Sequence, residues 1–315
     1  MLSIEDLHVD FTMGSNGSRR NIVAVEGASL RLESGETVAI IGESGSGKSV
    51  LGMAVCRLLP PTAHVKGSIH FREHALLDLP ATDMRKLRGQ QIAFVPQSAG
   101  LSLNPTMRCA DQVAEVLTNC RGQTWRAARQ SAGTILQQMG LNMDAAKSYP
   151  HSMSGGMRQR ILVGMGLAGS PDLLIADEPT KGIDINRQKD VENLLTQVRR
   201  KNPAMAMLLI THDLRLAEAL ADRVAVMYAG WIVEQTPKKE FFERPHHPYS
   251  SALLSALPER GLTPIPGVSP HPGSRPTGCI FHSRCSLATE PCRQTEPPQN
   301  GNSGYLVKCW NYAAT

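Results

Sequence analysis

Apolar residues in this chain gather in short, unbroken runs. TVAII (37–41), IAFV (92–95), LLIA (173–176), MLLI (207–210) and VAVM (224–227) are each continuous. Such runs are expected of strands covered on both faces, as in a sheet sandwiched by helices. The first is followed by a glycine loop and an apolar helical stretch at 50–59, which Pro60 and Pro61 stop. MYAGWIVEQ (227–235) reads as a hairpin turning at Ala229 and Gly230. Residues 98–168 are mostly helical in pattern, with no comparable strand. After Glu240 prolines, histidines and cysteines accumulate and periodicity fades. The expected organisation is an α/β domain over 1–240 with a helical insertion over about 98–168, then a loop-rich extension over 241–315.

Composition narrows the class. A chain of 315 residues can bury a full core, and its 41% hydrophobic and 19% charged content is that of a globular protein. The net charge is +5 and no basic block exceeds the RRK at 199–201, so no nucleic-acid partner is expected. MLSIEDLHVDF carries acids where a signal peptide would carry Lys or Arg. Runs such as AMAMLLI (204–210) fall far short of the ~18 apolar residues of a membrane span. These features predict a cytosolic chain, in which structural disulfides are improbable.

Two motifs carry chemistry on their own residues. GESGSGKS comprises Gly42, Glu43, Ser44, Gly45, Ser46, Gly47, Lys48 and Ser49, with Val50 next, and matches a P-loop between a buried strand and a helix. Its glycines let backbone N–H groups turn towards phosphate oxygens at a helix start that favours anions. Lys48 is placed to reach the β- and γ-phosphates and the Ser49 hydroxyl to ligate Mg²⁺. In LLIADEPT, an apolar strand delivers Asp177 and Glu178 to its C-terminal end, the edge where α/β sheets bind ligands. Asp177 can hold the Mg²⁺, directly or through water. Glu178, one residue on, can orient and deprotonate an attacking water.

The remaining motifs carry a resemblance. Ser154, Gly155 and Gly156 in SMSGGMRQR look like the signature of ABC-type ATPases, with Met157 where Gln is commoner. Gln97 in FVPQ resembles the Q-loop glutamine, Asp184 in KGID the D-loop aspartate and His212 in LLITHDL the switch histidine. YPHSMSGGMRQR, LSLNP, HHPYSSALLSALP, IPGVSP and GCIFHSRC are similar to the oligopeptide/dipeptide/nickel branch of ABC importers, over essentially the whole chain. The resemblance implies a P-loop ABC-type ATPase core, with ATP and Mg²⁺ held by the residues above. Gln97 would couple Mg²⁺ and water to the insertion, and His212 would sense the γ-phosphate. Ser154, Gly155, Gly156 and Met157 would bind nucleotide on an opposing subunit. It also implies a second ATPase subunit, a related chain or a second copy, two transmembrane permease subunits and an extracytoplasmic substrate-binding protein. The chain would lie on the cytoplasmic face of the plasma (inner) membrane, held through the permease. The expected cargo is a peptide, with nickel or a metal chelate as the alternative. A non-transport ABC ATPase would need a second ATPase half, a coiled-coil arm or a strong basic face, and none is visible.

Cys279, Cys285, Cys292 and Cys309 gather in the last 37 residues. Their gaps are wider than the paired C-x2-4-C usual for structural zinc. Four thiolates in a loop-rich segment suit a [4Fe–4S] centre, and the segment resembles the tail that carries such a cluster in some members of the branch. Zn²⁺ and four free thiols remain the alternatives. A metal here is expected to supply a core that the segment lacks.

Overall fold

The computed structural model describes residues 1–13, 20–183, 185–270, 275–302 and 305–312. Its strands begin with β1 (Leu2–Met13), β2 (Arg20–Leu32), β3 (Thr37–Ile41), β4 (Ala63–Phe71) and β5 (His74–Ala75). They continue with β6 (Ile92–Val95), β7 (Leu173–Asp177), β8 (Ala206–Thr211), β9 (Arg223–Tyr228) and β10 (Trp231–Pro237). β11 (Gln299–Asn302) and β12 (Tyr305–Lys308) close the chain. The chain divides into two units: residues 1–33, 37–78 and 210–315, and residues 34–36 and 79–209.

In the first unit an antiparallel sheet runs β2-β1-β4-β5, and a second set of strands runs β11-β12-β10-β9-β3. All five positions of β3 are buried, as its unbroken apolar run requires, and β3 pairs in parallel with β9, Ile41 opposite Val226. β9 turns into β10 through Ala229 (φ 43°) and Gly230 (φ 94°). Positive φ at both central residues is the type I′ geometry whose twist matches a hairpin. The expected turn is therefore in place.

The helix after β3 spans Lys48–Val55, starting before the expected position 50 and ending before the prolines. The early end lies at Arg57, whose backbone is left-handed (φ 50°) and whose guanidinium donates to the Leu76 carbonyl at 3.2 Å.

The second unit orders β8-β7-β6. β6 and β7 are parallel, with Val95 opposite Ala176. Between positions 98 and 168 it is helical, with Cys109–Arg121, Trp125–Gln138 and Gly155–Ala168 the longest segments. No described helix is long and apolar enough to cross a membrane.

Residues beyond 240 have more structure than their composition suggests, and they pack within the first unit. Helix Pro248–Ser255 is anchored by Glu234 of β10, whose carboxylate accepts the backbone N–H groups of His246 (3.1 and 3.2 Å) and His247 (2.8 Å). β12 adds to β10, with Val307 opposite Glu234. Tyr228, Tyr249 and Phe281 form a triangle of rings with centroids 4.6, 5.2 and 5.3 Å apart. Each such pair contributes about 0.5–1.5 kcal/mol beyond the area it buries. Two of these rings come from the extension and the third, Tyr228, from β9, so the extension shares an aromatic core with the hairpin.

His247 lies wholly inside this core. Its Nδ1 accepts the Tyr249 N–H at 3.0 Å, and burial pushes its pKa from 6.5 down to about 3. Between those values the unfolded chain binds a proton that the folded chain refuses, so this residue's contribution is full above pH 6.5 and lost on acidification. Glu234 acts oppositely, since burial raises its pKa and protonation then favours the fold. Asn at position 247 keeps an acceptor without a titrating ring. Between pH 7 and 5 the thermal midpoint of His247→Asn should therefore fall less steeply than that of the parent. Equal slopes, measured by scanning fluorimetry across that range, would contradict the assignment.

Candidate functional site

The first unit carries the glycine loop. Gly42, Gly45 and Gly47 have φ of 151°, 79° and 102°, so the loop turns where L side chains rarely go. A Cβ on Gly42 would stand 2.0 Å from the Met227 carbonyl oxygen, and one on Gly47 2.3 Å from that of Ala24. The Lys48 ammonium is buried and donates to the carbonyls of Gly42 and Glu43, each at 2.8 Å, and to Ser46 Oγ at 3.4 Å. Gly47 starts the helix in a left-handed conformation, and no side chain of the capping residue covers that end. A helix start built this way suits an anion. The shape and donor set fit a phosphate chain.

His212 is in the same unit and exposed, just past β8. Its backbone is fixed by its neighbours: the Asp213 N–H donates to Thr211 Oγ1 (3.0 Å). Asp213 Oδ1 in turn caps the next helix by accepting from Arg215 N (3.0 Å) and Leu216 N (3.2 Å). The cap makes this a defined position for an imidazole.

The second unit holds the other expected residues. Because β6 and β7 are adjacent and parallel, Gln97 and Asp177 leave the sheet at the same edge. Asp177 and Glu178 are 4% and 6% exposed. Glu178 adopts φ 47°, a strained conformation for a residue other than glycine, and its carbonyl accepts the Lys181 N–H at 3.0 Å. The motif alone carries no sign of that backbone reversal. Ser154 caps helix Gly155–Ala168, its Oγ accepting the Met157 N–H at 3.3 Å. A Cβ on Gly156 would meet open space, whereas one on Gly155 would meet the Gly182 carbonyl at 3.3 Å. An open depression of about 290 Å³ adjoins this helix start, lined by Ser154, Gly156, Met157, Asn142 and the Arg160–Asp190 ion pair. Asp184 lies outside the described residues.

The four C-terminal cysteines come together. The Cys279 N–H donates to the Cys292 carbonyl at 2.8 Å, and Cys309 follows β12. Burial, reinforced by Cys292, Cys309 and Cys285, pushes the Cys279 thiol up to about 11. Cys285 and Cys309 are also raised by burial first and then by neighbouring thiols. All seven cysteines are free. Among the described residues no three His, Cys, Asp or Glu side chains are placed to hold a metal ion. The described residues thus give no support for an iron–sulfur cluster or for zinc at these cysteines.

Sequence motifs missed two side chains that touch the glycine loop: Tyr249, whose Oη accepts the Glu43 N–H at 2.9 Å, and Arg284, paired with the Glu43 carboxylate. Both contacts span more than 200 residues, beyond the reach of any local pattern.

Comparison with known proteins agrees with the site. Residues 25–181 match the ABC transporter family and 233–292 the oligopeptide/dipeptide transporter C-terminal region. The dipeptide transport ATP-binding protein DppD of Bacillus subtilis is 40% identical, over 98% of this chain and 94% of that protein. DppD of Haemophilus influenzae is 38% identical, over 98% and 94%, and the oligopeptide transport protein OppD of B. subtilis 38%, over 98% and 88%. The dimeric post-hydrolysis structure of the ATP-binding cassette MJ0796 with ADP and Pi superposes with a TM-score of 0.66 at 25% identity. That match covers 76% of this chain and 99% of that one.

A buried cation in such a loop would compensate phosphate charge in ground and transition states alike. Lys48→Ala should therefore weaken nucleotide binding itself, seen in equilibrium titration with labelled ATP. Unchanged affinity would mean that this loop is not the cradle.

Proposed function

The chain belongs to the ABC transporter family, in its oligopeptide/dipeptide branch, and on that premise we propose that it hydrolyses ATP to power import of di- or oligopeptides. The observation that carries this reading is the glycine cradle around Lys48 in a chain that also bears the branch's C-terminal region. None of the three relatives above is named for nickel, so the nickel or metal-chelate cargo has no support. We take residues 1–240 as the ATPase domain, with a helical insertion over about 98–168, and 241–315 as the extension.

In this mechanism the loop N–H groups and Lys48 bind the phosphates. Ser49, Asp177 and Gln97 are the residues that would hold a magnesium ion, which when bound would supply neutralisation of charge developing on the γ-phosphate. Glu178 orients the attacking water and takes its proton, while His212 meets the γ-phosphate. Ser154 and the amides of Gly155, Gly156 and Met157 would serve the nucleotide of a second ATPase subunit, and by the family resemblance Asp184 is assigned to nucleotide binding as well. Leu101, just past Gln97 and 91% exposed, suits an apolar contact with one of two permease subunits. Through these the chain would sit on the cytoplasmic face of the plasma membrane, with an extracytoplasmic binding protein delivering cargo.

Glu178→Gln should leave ATP binding intact, trap an ATP-bound dimer and lower turnover at least ~10²-fold in the assembled transporter, the range of a general base. Near-normal hydrolysis by that variant would remove Glu178 from the role. Stimulation of turnover by peptide-loaded binding protein, but not by nickel, tests the cargo.

We also assign Cys279, Cys285, Cys292 and Cys309 to a [4Fe–4S] cluster. Support comes from the sequence resemblance of the segment and from the nearness of its thiols: burial first, and then neighbouring cysteines, raises the pKa of Cys279, Cys285 and Cys309. When bound, such a cluster supplies a redox centre and a four-way cross-link. Anaerobic purification should yield brown protein absorbing near ~400 nm with about four iron atoms per chain. A colourless preparation with one zinc per chain would reverse the assignment to zinc, and a metal-free one to free thiols.

A further inference from the structure

Glu43 is the second residue of the phosphate loop, and each of its polar groups is held. Its N–H donates to Tyr249 Oη at 2.9 Å and its carbonyl accepts from Lys48 Nζ at 2.8 Å. Its carboxylate takes two parallel bonds from Arg284, Nη1 at 2.8 Å and Nη2 at 3.0 Å. Arg284 is itself fixed. Its side chain is 5% exposed, Nε donates to the Pro266 carbonyl at 2.8 Å, and Nη1 also reaches Tyr228 Oη at 3.3 Å. The guanidinium carbon lies 5.7 Å from the centre of the Tyr228 ring.

We propose that the C-terminal extension positions the phosphate loop for nucleotide, with Arg284 holding the Glu43 carboxylate and Tyr249 holding its N–H.

Stability alone does not account for this arrangement. Taking the Arg284 guanidinium out of water is costly, its partner Glu43 keeps 29% exposure, and an apolar residue of the arginine's volume would often serve a core as well or better. A forked, two-bond pair instead specifies where both partners lie and how they face. Charge gives a second reason. Glu43 puts a negative charge in a loop built to receive phosphates, and Arg284 cancels it without occupying the cradle. The pair joins positions 241 residues apart, so the extension's conformation reaches the loop directly. Arg284 immediately precedes Cys285, so the cysteine segment is tied to the phosphate loop through this pair.

The inference rests on the glycine loop being the nucleotide cradle, and the test separates the two. Labelled ATP is titrated into full-length protein carrying Arg284→Gln, the Arg284→Gln/Glu43→Gln pair, or Lys48→Ala. Arg284→Gln, which leaves the carboxylate uncompensated, should weaken ATP binding by about 10-fold, within the usual range of coupling between sites. In the assembled transporter that loss should appear as a raised KM for ATP, with kcat changed less than about twofold, because the interaction is the same in ground and transition states. Removing the carboxylate as well should restore most of the affinity, which a merely structural role for the arginine would not produce. Unchanged affinity in Arg284→Gln, or a loss that the double variant does not rescue, overturns the proposal while Lys48→Ala still loses binding. If Lys48→Ala binds normally, the cradle reading fails first. If Arg284→Gln does not fold, Tyr249→Phe removes only the hydroxyl and keeps the ring. Weakened binding in that variant supports the proposal and unchanged binding overturns it.

Discussion

The carbonyl oxygens of Met227 and Ala24 leave no room for a side chain at two positions of the phosphate loop. They would sit 2.0 and 2.3 Å from Cβ atoms on Gly42 and Gly47. A loop pressed this closely to the end of β9 and to β2 must be glycine at those points, and its left-handed turns then aim N–H groups inward instead of side chains. Lys48 closes the ring from within by binding two of the loop's own carbonyls. Gly230, in the turn after β9, donates its N–H to the Ser46 carbonyl at 2.9 Å. The hairpin turn and the phosphate loop thus brace each other, which explains why the β9–β10 turn takes a tight type I′ form.

The same strand end supports the extension. Met227 carries the carbonyl that excludes a Cβ from Gly42, and Tyr228, the next residue, carries a ring packed against Tyr249 and Phe281. Glu234, further along the hairpin, fixes the start of helix Pro248–Ser255 through backbone N–H groups. An extension anchored in this way transmits displacement, since packed rings and charge-assisted hydrogen bonds yield little before they break.

Strands β3, β6, β7, β8 and β9 were legible because burial on both faces leaves a continuous apolar run that no helix of such short length would show. The phosphate loop was legible because its function depends on glycine at fixed offsets. β1 was not. Its buried positions, Leu2, Ile4, Leu7 and Val9, fall out of strict alternation between Ile4 and Leu7, where the register with β2 shifts. Asp6, with φ 48°, marks that bulge, and a period-2 pattern interrupted by an inserted residue no longer reads as a strand. The extension was illegible for another reason. Its anchors are a carboxylate on β10 bonded to backbone 12 and 13 residues on, and an arginine bonded to a glutamate 241 residues away. Neither leaves a local signature.

Glu178 shows what a motif conceals even where its chemistry is plain. In an unbroken strand, consecutive side chains point to opposite faces, so adjacent carboxylates could not both serve one edge of a sheet. The left-handed step at Glu178 ends that alternation immediately after Asp177, and the Lys181 N–H bonded to the Glu178 carbonyl closes the chain into a turn. Such a backbone costs about 1–3 kcal/mol for a residue with a side chain, and glycine would relieve it. Glycine would also remove the carboxylate. On the proposed assignment of Glu178 as the base, the strain is retained because the carboxylate is needed at the turn itself, one residue beyond the end of β7. The strand supplies rigidity, and the turn decides where the Glu178 carboxylate is aimed.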